Sequence, residues 1–326
     1  MIHTRVCELF DIEHPVMLGG MASITAPELA AAVSNAGGLG GVGGSYIDAA
    51  RMTEVAADMR AHTDKPFAIN FLLFVDNQDA FAAALDAAPA MMAFAWPSDG
   101  QDLAPWFDRA HAAGCKVMFM ADSVAGALRG ADAGADLIVA QGTEGGGHVA
   151  WIGTSVLVPM IVDAVAPIPV LAAGGIADGR GLAAALALGA DGALLGTRFL
   201  ATVESPLHPN FKQAILDSDG HDTVLTEIPD VAGGRVWPGA MARARRNHFI
   251  DRWAGREWAL RQNQASAAAA LKAAQQAGDV DEGSLLIGQD AGLINDLPAA
   301  GKLIARMVAE AEEIMTARLP GLVTKR

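Results

Sequence analysis

The feature that most constrains the fold of this chain is a regular alternation of short apolar runs with longer alanine-rich segments, which continues to about residue 200. Each apolar run is too short for a helix and is bounded by glycine, proline or a polar residue, as expected for a buried strand. The candidate strands are 16–18, 39–42, 67–71, 91–95, 116–120, 137–140, 170–173 and 193–195. The candidate helices between them are 27–35, 47–61, 78–88, 103–113, 123–133, 155–166 and 179–188.

A weak internal repeat supports this count of elements. A glycine closes four of the predicted helices just before the next strand, at Gly37, Gly114, Gly134 and Gly189. Glycine at that position adopts the left-handed conformation that ends a helix and lets the chain turn back sharply. Eight strands that alternate with helices predict a closed parallel (β/α)8 barrel, with an open doubly wound sheet as the alternative.

The alternation stops after Ala201, and the rest of the chain has a different character. Residues 205–265 contain four prolines, three tryptophans and the basic cluster 243–246, which we interpret as a small, mostly helical insertion over one face of the barrel. Apolar residues recur at helical spacing near the C-terminus, which suits a last barrel helix. We therefore divide the chain into a barrel (1–204), a helical insertion or lid (205–265) and C-terminal helices that complete the barrel (266–326).

Charge and cysteine content exclude several classes of protein. The 23 Lys and Arg against 37 Asp and Glu give a net charge of −14, which argues against nucleic acid as a partner because its phosphates require a basic face. Two cysteines and scattered histidines suit neither a disulfide framework nor a metal site. The N-terminus has no apolar signal core, and prolines and Asp163 interrupt the longest apolar stretch, 156–173. We expect a cytoplasmic protein that does not enter a membrane.

Glycines concentrate where the barrel fold places its active site, after the C-terminal ends of the strands. The loops after the seventh and eighth strands, which commonly bind phosphate in this fold, carry Gly174–Gly175 and Gly196–Thr197. Their backbone amides would hold a dianion without a basic side chain. The alternative is that these glycines only form tight turns.

His148 is the strongest candidate for a catalytic side chain. It follows three glycines in the loop after the sixth strand, so its imidazole is predicted to project into the mouth of the barrel as a proton acceptor or donor. Glu144 is either a second carboxyl of the site or a residue that orients the loop. Met21, Met120 and Phe71 are interpreted either as an apolar wall for a ring or as barrel core.

The sequence around these loops resembles the nitronate monooxygenase family, formerly called 2-nitropropane dioxygenases, which are FMN-dependent barrels. The resemblance runs nearly from end to end. The matching segments are PELAAAVSNAGGLG (27–40), KPFAIN (65–70), QGTEGGGH (141–148), AAGGIADG (172–179), GTRF (196–199), ARARRN (242–247) and GQDAGLI (288–294), with shorter matches at 15–16, 20–22 and 208–209.

The resemblance implies FMN, with Asn70, Gln141 and Gly146 near the isoalloxazine ring and the two glycine-containing pairs at the phosphate. The family's active-site histidine corresponds to His148. The implied reaction oxidises alkyl nitronates, and nitroalkanes after removal of their α-proton, with O2 to carbonyl compounds and nitrite. The candidate cofactor-binding residues are Gly20, Met21, Ala22, Asn70, Gln141, Gly142, Gly146, Gly147, Gly174, Gly175, Gly196 and Thr197.

Three departures from the family pattern affect the expected site. The usual Glu-Ala-Gly-Gly-His-x-Gly is replaced by Glu-Gly-Gly-Gly-His-Val-Ala at 144–150, so we expect a more flexible loop. Met120 stands where some members have a lysine near the flavin. The insertion, including 237–239, matches only loosely and is expected to set the substrate.

Two other functions remain open at this point. Flavin-dependent enoyl-ACP and NAD(P)H:quinone reductases share the barrel, the glycine-histidine loop and the C-terminal pattern at 288–293. An acidic acyl carrier would require a basic patch, which Arg243, Arg245 and Arg246 would supply unless they form a solvated face. A lyase or isomerase that binds a phosphorylated metabolite without flavin is the third hypothesis. Exposed helices of such barrels often pair, so a homodimer is also left open.

Overall fold

The computed structural model describes residues 1–21 and 26–323. The barrel strands are β1 (Val16–Leu18), β2 (Gly40–Gly43), β3 (Phe67–Leu72), β4 (Met91–Ala95), β5 (Lys116–Ala121), β6 (Leu137–Gln141), β8 (Val170–Ala173) and β9 (Gly192–Leu195). They are parallel and follow the order β1-β9-β8-β6-β5-β4-β3-β2, and a bridge between Met17 and Leu39 closes the ring. The predicted (β/α)8 barrel is confirmed, and each predicted strand lies within one residue of its observed ends.

Helices surround this ring of strands. In the first part of the chain they are α1 (Arg5–Phe10), α2 (Pro27–Asn35), α3 (Ala49–His62), α4 (Gln78–Asp86), α5 (Ala104–Ala112), α6 (Val124–Asp132), α7 (Thr154–Val165), α8 (Gly179–Ala187) and α9 (Thr197–Leu200). Later helices are α10 (Pro209–Leu216), α11 (Ile228–Ala232), α12 (His248–Trp253), α13 (Glu257–Gln262), α14 (Gln264–Ala277), α15 (Ala300–Glu313) and α16 (Leu319–Gly321). A 3-10 turn spans Gln289–Leu293, and a π-helical segment spans Ile314–Arg318.

Local sequence signals explain where the helices begin and end. The side chains of Asp48, Ser123 and Asp178 accept hydrogen bonds from backbone amides in the first turns of α3, α6 and α8. The four glycines of the internal repeat have φ between 80° and 99°, so the predicted left-handed helix ends are confirmed. The helix α1 was not predicted.

Two hydrophobic layers hold the barrel together. One layer lies between the strands and the surrounding helices, and contains buried aromatic residues such as Phe81, Phe94 and Phe107. The other lies inside the barrel, where Met17, Met91 and Leu171 belong to the same cluster as the apolar face of α1. α1 therefore contributes side chains to the cluster inside the strand ring, and the helix α15 packs against α2 and α8 on the outside.

The insertion contains more strand than the sequence indicated. Its strands β10 (Thr223–Thr226) and β11 (Met241–Arg245) form an antiparallel sheet with β7 (Gly147–Val149), which belongs to the loop after β6. Ala242 lies opposite His148 in this sheet. We call residues 223–245 the roof, because they cover the C-terminal end of the barrel strands. In the described part of the chain, no helix is both long and apolar enough to cross a membrane.

Candidate active site

A cleft lies between the C-terminal ends of the barrel strands and the roof. Its lining contains His148 and ten of the predicted cofactor-binding residues: Gly20, Met21, Asn70, Gln141, Gly146, Gly147, Gly174, Gly175, Gly196 and Thr197. Parallel strands bring these positions together because their C-terminal ends meet at the same end of the barrel. The sequence-based set is therefore gathered around one cavity.

Two other candidates, Gly142 and Phe71, do not line the cleft, and a third lies outside the described residues. A Cβ at Gly142 would lie 2.0 Å from Thr154 Oγ1, so the glycine allows close packing of the loop on α7. Ala22 lies outside the described residues. Of the three candidates for an apolar wall, Met21 and Met120 line the cleft, whereas Phe71 is fully buried in the core beside Phe81.

His148 is held between two groups of the roof. Its Nε2 lies 2.9 Å from Oδ2 of Asp230 on α11, and both side chains are only 10% exposed. The indole of Trp237 stacks on the imidazole, with ring centroids 3.3 Å apart and planes at 9°. A carboxylate only accepts hydrogen bonds, so Nε2 is the donor in this pair, and a neutral ring held in this way has its lone pair on Nδ1.

The loop that carries His148 is braced from both sides, and its greater flexibility relative to the family stays a prediction. Gly147–Val149 pairs with β11 as a strand. The carboxylate of Glu144 accepts hydrogen bonds from the backbone amide and the hydroxyl of Thr154, so it orients the loop on the first turn of α7. Arg243 donates from Nε to the carbonyl of Thr143 at 2.8 Å. Burial lowers the pKa of the Arg243 guanidinium, and the negative charge of Glu144 opposes that shift.

The mouth of the cleft contains strained backbone and one cation. Tyr46 and Trp96 both line the cleft and have φ of 66° and 54°, in the left-handed region that bulky residues rarely adopt. Such strain is concentrated at functional sites. The guanidinium of Arg235 lies 4.7 Å from the centroid of the Tyr46 ring, which places a roof cation against a barrel loop at the cleft.

Another part of the cleft lining consists mainly of backbone. Gly174 and Gly175 follow β8 and have φ of 97° and 76°, which only glycine adopts without strain. Gly196 and Thr197 follow β9 and lie beside them. We call these four residues the floor. Thr197 Oγ1 accepts a hydrogen bond from the amide of Gly288 at 2.9 Å, which ties the C-terminal turn 288–293 to the floor.

The residues present fit a bound flavin. Gln141 Oε1 is buried in the cleft wall and has no hydrogen-bond partner among the described residues, so it offers an acceptor for a ring N–H. A Cβ at Gly196 would meet only Met21 Sδ, at 3.5 Å, which leaves room for a ligand against the floor. The apolar side chains of Met21 and Met120 suit the face of an aromatic ring.

A family model described as nitronate monooxygenase matches residues 3–96 and 91–310. The chain belongs to the nitronate monooxygenase family. Its members are flavin-dependent oxidoreductases, and the sequence-based assignment to this family is confirmed.

Curated relatives within this family have different names. The chain is 32% identical to a probable nitronate monooxygenase of Staphylococcus saprophyticus, over 96% of this chain and 99% of the relative. It is also 32% identical to (3aS,4S,5R,7aS)-5-hydroxy-7a-methyl-1-oxo-octahydro-1H-indene-4-carboxyl-CoA dehydrogenase of Rhodococcus jostii, over 95% of this chain and 96% of the relative. At the same identity, these two relatives therefore have names that describe different activities.

Solved structures of similar proteins also differ in name. FabK from Thermotoga maritima matches with a TM-score of 0.89 and 35% identity, over 99% of this chain and all of that one. Nitroalkane oxidase from Streptomyces ansochromogenes matches with a TM-score of 0.84 and 31% identity, over 96% of this chain and 99% of that one. Both similarities extend over the barrel and the insertion together.

Sequence reasoning missed Asp230 and Arg235 of the roof, and it named Trp237 only as part of the insertion expected to set the substrate. Asp230, Arg235 and Trp237 lie in a segment that matches the family only loosely, and no local motif marks Asp230 as the partner of a histidine 82 positions away. Asp290 of the nitronate monooxygenase pattern at 288–294 also lines the cleft and was not singled out. Its carboxyl is an ionisable group in a buried position, which is a recognisable signal only once the fold is known.

The basic cluster in this segment is not a free patch. Arg243 is buried against Thr143, as described above. Arg245 pairs with Asp222 at 3.1 Å, and Arg246 pairs with Asp251 at 2.6 Å. A surface for an acidic carrier protein therefore gains no support from these arginines.

Proposed function

We propose that this protein is an FMN-dependent nitronate monooxygenase, which oxidises alkyl nitronates, and nitroalkanes after deprotonation, with O2 to carbonyl compounds and nitrite. The observation that carries the proposal is the pairing of His148 with Asp230 in the wall of a cleft whose other side is a glycine floor. A base held by a carboxylate beside a flavin site suits removal of an acidic proton from carbon. Family membership supports the flavin.

His148 is proposed to act at the carbon next to the nitro group. The α-proton of a neutral nitroalkane would pass to Nδ1, and the resulting imidazolium would be stabilised by Asp230 through Nε2. Trp237 covers one face of the ring and excludes water from it. The buried Nε1 of Trp237 has no hydrogen-bond partner among the described residues, so it is available to a substrate oxygen. A substrate that is already a nitronate would not need the base.

The floor and the barrel wall are proposed to hold the cofactor. Backbone amides of Gly174, Gly175, Gly196 and Thr197 would bind its phosphate, while Asn70, Gln141 and Gly146 would lie near its ring. When bound, the flavin accepts electrons from the substrate and delivers them to O2. Met120 supplies no positive charge where some members of the family have lysine, so the protein stabilises developing negative charge on the ring less strongly.

The test identifies which compound, the nitronate or the nicotinamide, donates electrons to the flavin. Purified protein loaded with FMN is mixed anaerobically with propyl-2-nitronate in one cuvette and with NADH or NADPH in another, and flavin absorbance is followed. Rapid loss of the oxidised flavin band with nitronate alone, followed by nitrite release when O2 is admitted, supports the proposal. Reduction by the nicotinamide and no reaction with nitronate would contradict it.

A reductase that uses NAD(P)H is the second candidate, because one observation favours a larger substrate. A second cavity, lined by residues that include Asp99, Ser123 and Arg129, shares Trp96, Met120 and Gln141 with the cleft. This leaves room next to the proposed ring site for a further ligand. A relative named as a carboxyl-CoA dehydrogenase points in the same direction. Reduction of the flavin by NADH in the anaerobic experiment would select this function.

A further inference from the structure

We propose that Asp290 is the residue that couples binding of FMN to uptake of one proton, by meeting the cofactor phosphate as a neutral carboxyl. This proposal rests on the proposed FMN cofactor. Asp290 lines the cleft and is only 6% exposed. It belongs to the turn 288–293, whose first amide donates to Thr197 of the floor. The turn that carries this carboxyl is therefore bonded to one of the residues where a dianionic phosphate is expected.

Among the described residues, no side chain forms a hydrogen bond or an ion pair with the carboxyl of Asp290. Within residues 1–21 and 26–323, the hydrogen-bond donor that the structure provides for it is its own backbone amide. A Cβ at Gly288 would lie 2.3 Å from Asp290 Oδ1 and 2.9 Å from the amide nitrogen of Gly146, so the carboxyl sits against the backbone of the cleft wall. The carboxyl is therefore held in the cleft lining with no pairing side chain among the described residues.

The charged groups around Asp290 do not neutralise it fully. Arg198 on α9 acts on it, but the guanidinium of Arg198 forms its ion pair with Asp296, at 3.0 Å. Asp296 in turn binds Arg306 on α15. Lys212 on α10 donates to two backbone carbonyls, at 2.8 and 3.2 Å. Burial raises the pKa of Asp290 to about 7 in spite of Arg198.

Other ionisable groups near the turn point elsewhere. The backbone carbonyl of Glu144 accepts a hydrogen bond from the amide of Gln289. The side-chain carboxylate of Glu144 is directed to Thr154 and lies near Arg243. The remaining titratable groups of the cleft lining are His148, Tyr46 and Arg235, on the roof side. Asp290 is therefore the acidic group closest to the floor among the described residues that line the cleft.

A phosphate dianion and a carboxylate repel each other at short range, whereas a protonated carboxyl donates a hydrogen bond to a phosphate oxygen. FMN should therefore bind the form in which Asp290 is neutral. Above about pH 7 this form becomes scarce, so the apparent dissociation constant should rise about tenfold per pH unit, or roughly 30-fold from about pH 6 to about pH 8.5. The phosphate itself titrates near pH 6, which the variants below correct for.

The experiment measures flavin binding to apoprotein across this pH range by quenching of flavin fluorescence. FMN is compared with riboflavin, which has the same ring and no phosphate. Asp290→Asn replaces the carboxyl by an uncharged donor of similar shape, and Asp290→Ser provides a second donor that does not titrate, should the first variant fold poorly. Asp219→Asn removes the same charge from an exposed position in the neighbouring loop and is the matched control.

Calorimetry in buffers of different ionisation enthalpy then counts protons. We expect about one proton taken up per FMN near pH 8 in the wild type and in Asp219→Asn, and close to none in the Asp290 variants or with riboflavin. The same pH profile in Asp290→Asn and the wild type, or an equal dependence for riboflavin, would overturn the role of Asp290 and leave the cofactor in place. Absence of FMN binding at every pH would overturn the cofactor proposal and this inference with it.

Discussion

The floor and the roof of the cleft are built from different materials. The floor presents backbone of two barrel loops, in which glycines carry no side chain that could react. The roof presents side chains, and it reaches His148 through a hydrogen bond, a ring stack and a strand pairing. The proposed function therefore assigns cofactor binding and proton chemistry to separate parts of the chain. Substitutions in one part should therefore leave the function of the other part intact.

The largest expected effect belongs to the roof side. His148→Ala removes the proposed base, so turnover of a neutral nitroalkane should fall about 10²- to 10⁴-fold, while turnover of the corresponding nitronate should fall much less. Steady-state kinetics with both forms of 2-nitropropane measure this difference. The visible spectrum checks that FMN is retained. Equal losses of turnover on the two substrates would contradict a role of His148 in proton abstraction. They would also contradict the separation of function between roof and floor.

Asp230→Asn tests whether the roof acts through the carboxylate. The amide keeps the shape but cannot stabilise the imidazolium, so we expect a loss of about 10²-fold on the neutral substrate with normal FMN affinity. Asp222→Asn is the matched control, because it removes an equivalent charge from the same insertion, where Asp222 pairs with Arg245. If Asp222→Asn changed the ratio of nitroalkane turnover to nitronate turnover as much as Asp230→Asn does, the position of Asp230 beside His148 would not matter.

The buried carboxyl beside the floor should make stability depend on pH. The pKa of Asp290 is raised to about 7, so its contribution to the free energy of unfolding is present below about pH 4 and is lost as pH rises to about 7. Asp290→Asn should therefore be more stable than the wild type above pH 7, by about 1–3 kcal/mol. Urea unfolding of the two apoproteins at pH 5 and pH 8 measures this difference in the free energy of unfolding. A difference that does not grow with pH would show that the carboxyl is ionised throughout.

The smallest effect is expected from a single methyl group in the floor. Gly175→Ala places a side chain on a residue with φ of 76°, which should cost about 1–2 kcal/mol of stability and weaken FMN binding, with an unchanged ratio of the two substrates. Gly114→Ala is the matched control, since Gly114 has φ of 80° and open space around it. Thermal unfolding should show a loss of stability in both variants, whereas flavin titration should show weaker FMN binding only in Gly175→Ala. Equal FMN affinity of the two would argue against phosphate at the floor.

The barrel was predictable because its signals are local. The apolar runs are nearly all buried on both faces, and the helix ends carry their own capping residues, such as Asp178. Gly174–Gly175 and Gly196–Thr197 follow directly from the ends of β8 and β9 and from the general location of sites in this fold. The helix α1 escaped prediction because its six residues are too few to show a period.

The roof was not predictable in the same way. The pairing of β11 with β7 joins residues about a hundred positions apart, as does the bond from Arg243 to Thr143. The strands β10 and β11 are only four and five residues long. β10 has no alternation of apolar and polar residues, and the alternation of alanine and arginine at 242–245 in β11 was interpreted as part of a basic cluster. The sequence analysis named Trp237 only as one of several residues of the insertion. The structure identifies it as the ring that stacks on His148.

The sequence by itself determined the barrel, the position of the floor and the candidacy of His148, because these depend on short-range periodicity, glycine conformations and a glycine-rich motif. Only the tertiary structure decided which nitrogen of His148 remains available, since that depends on Asp230, and which carboxyl lies unpaired beside the floor. Burial and pairing of an ionisable group are set by residues distant in the chain, which is why Asp230 and Asp290 have opposite surroundings that their local sequences do not reveal.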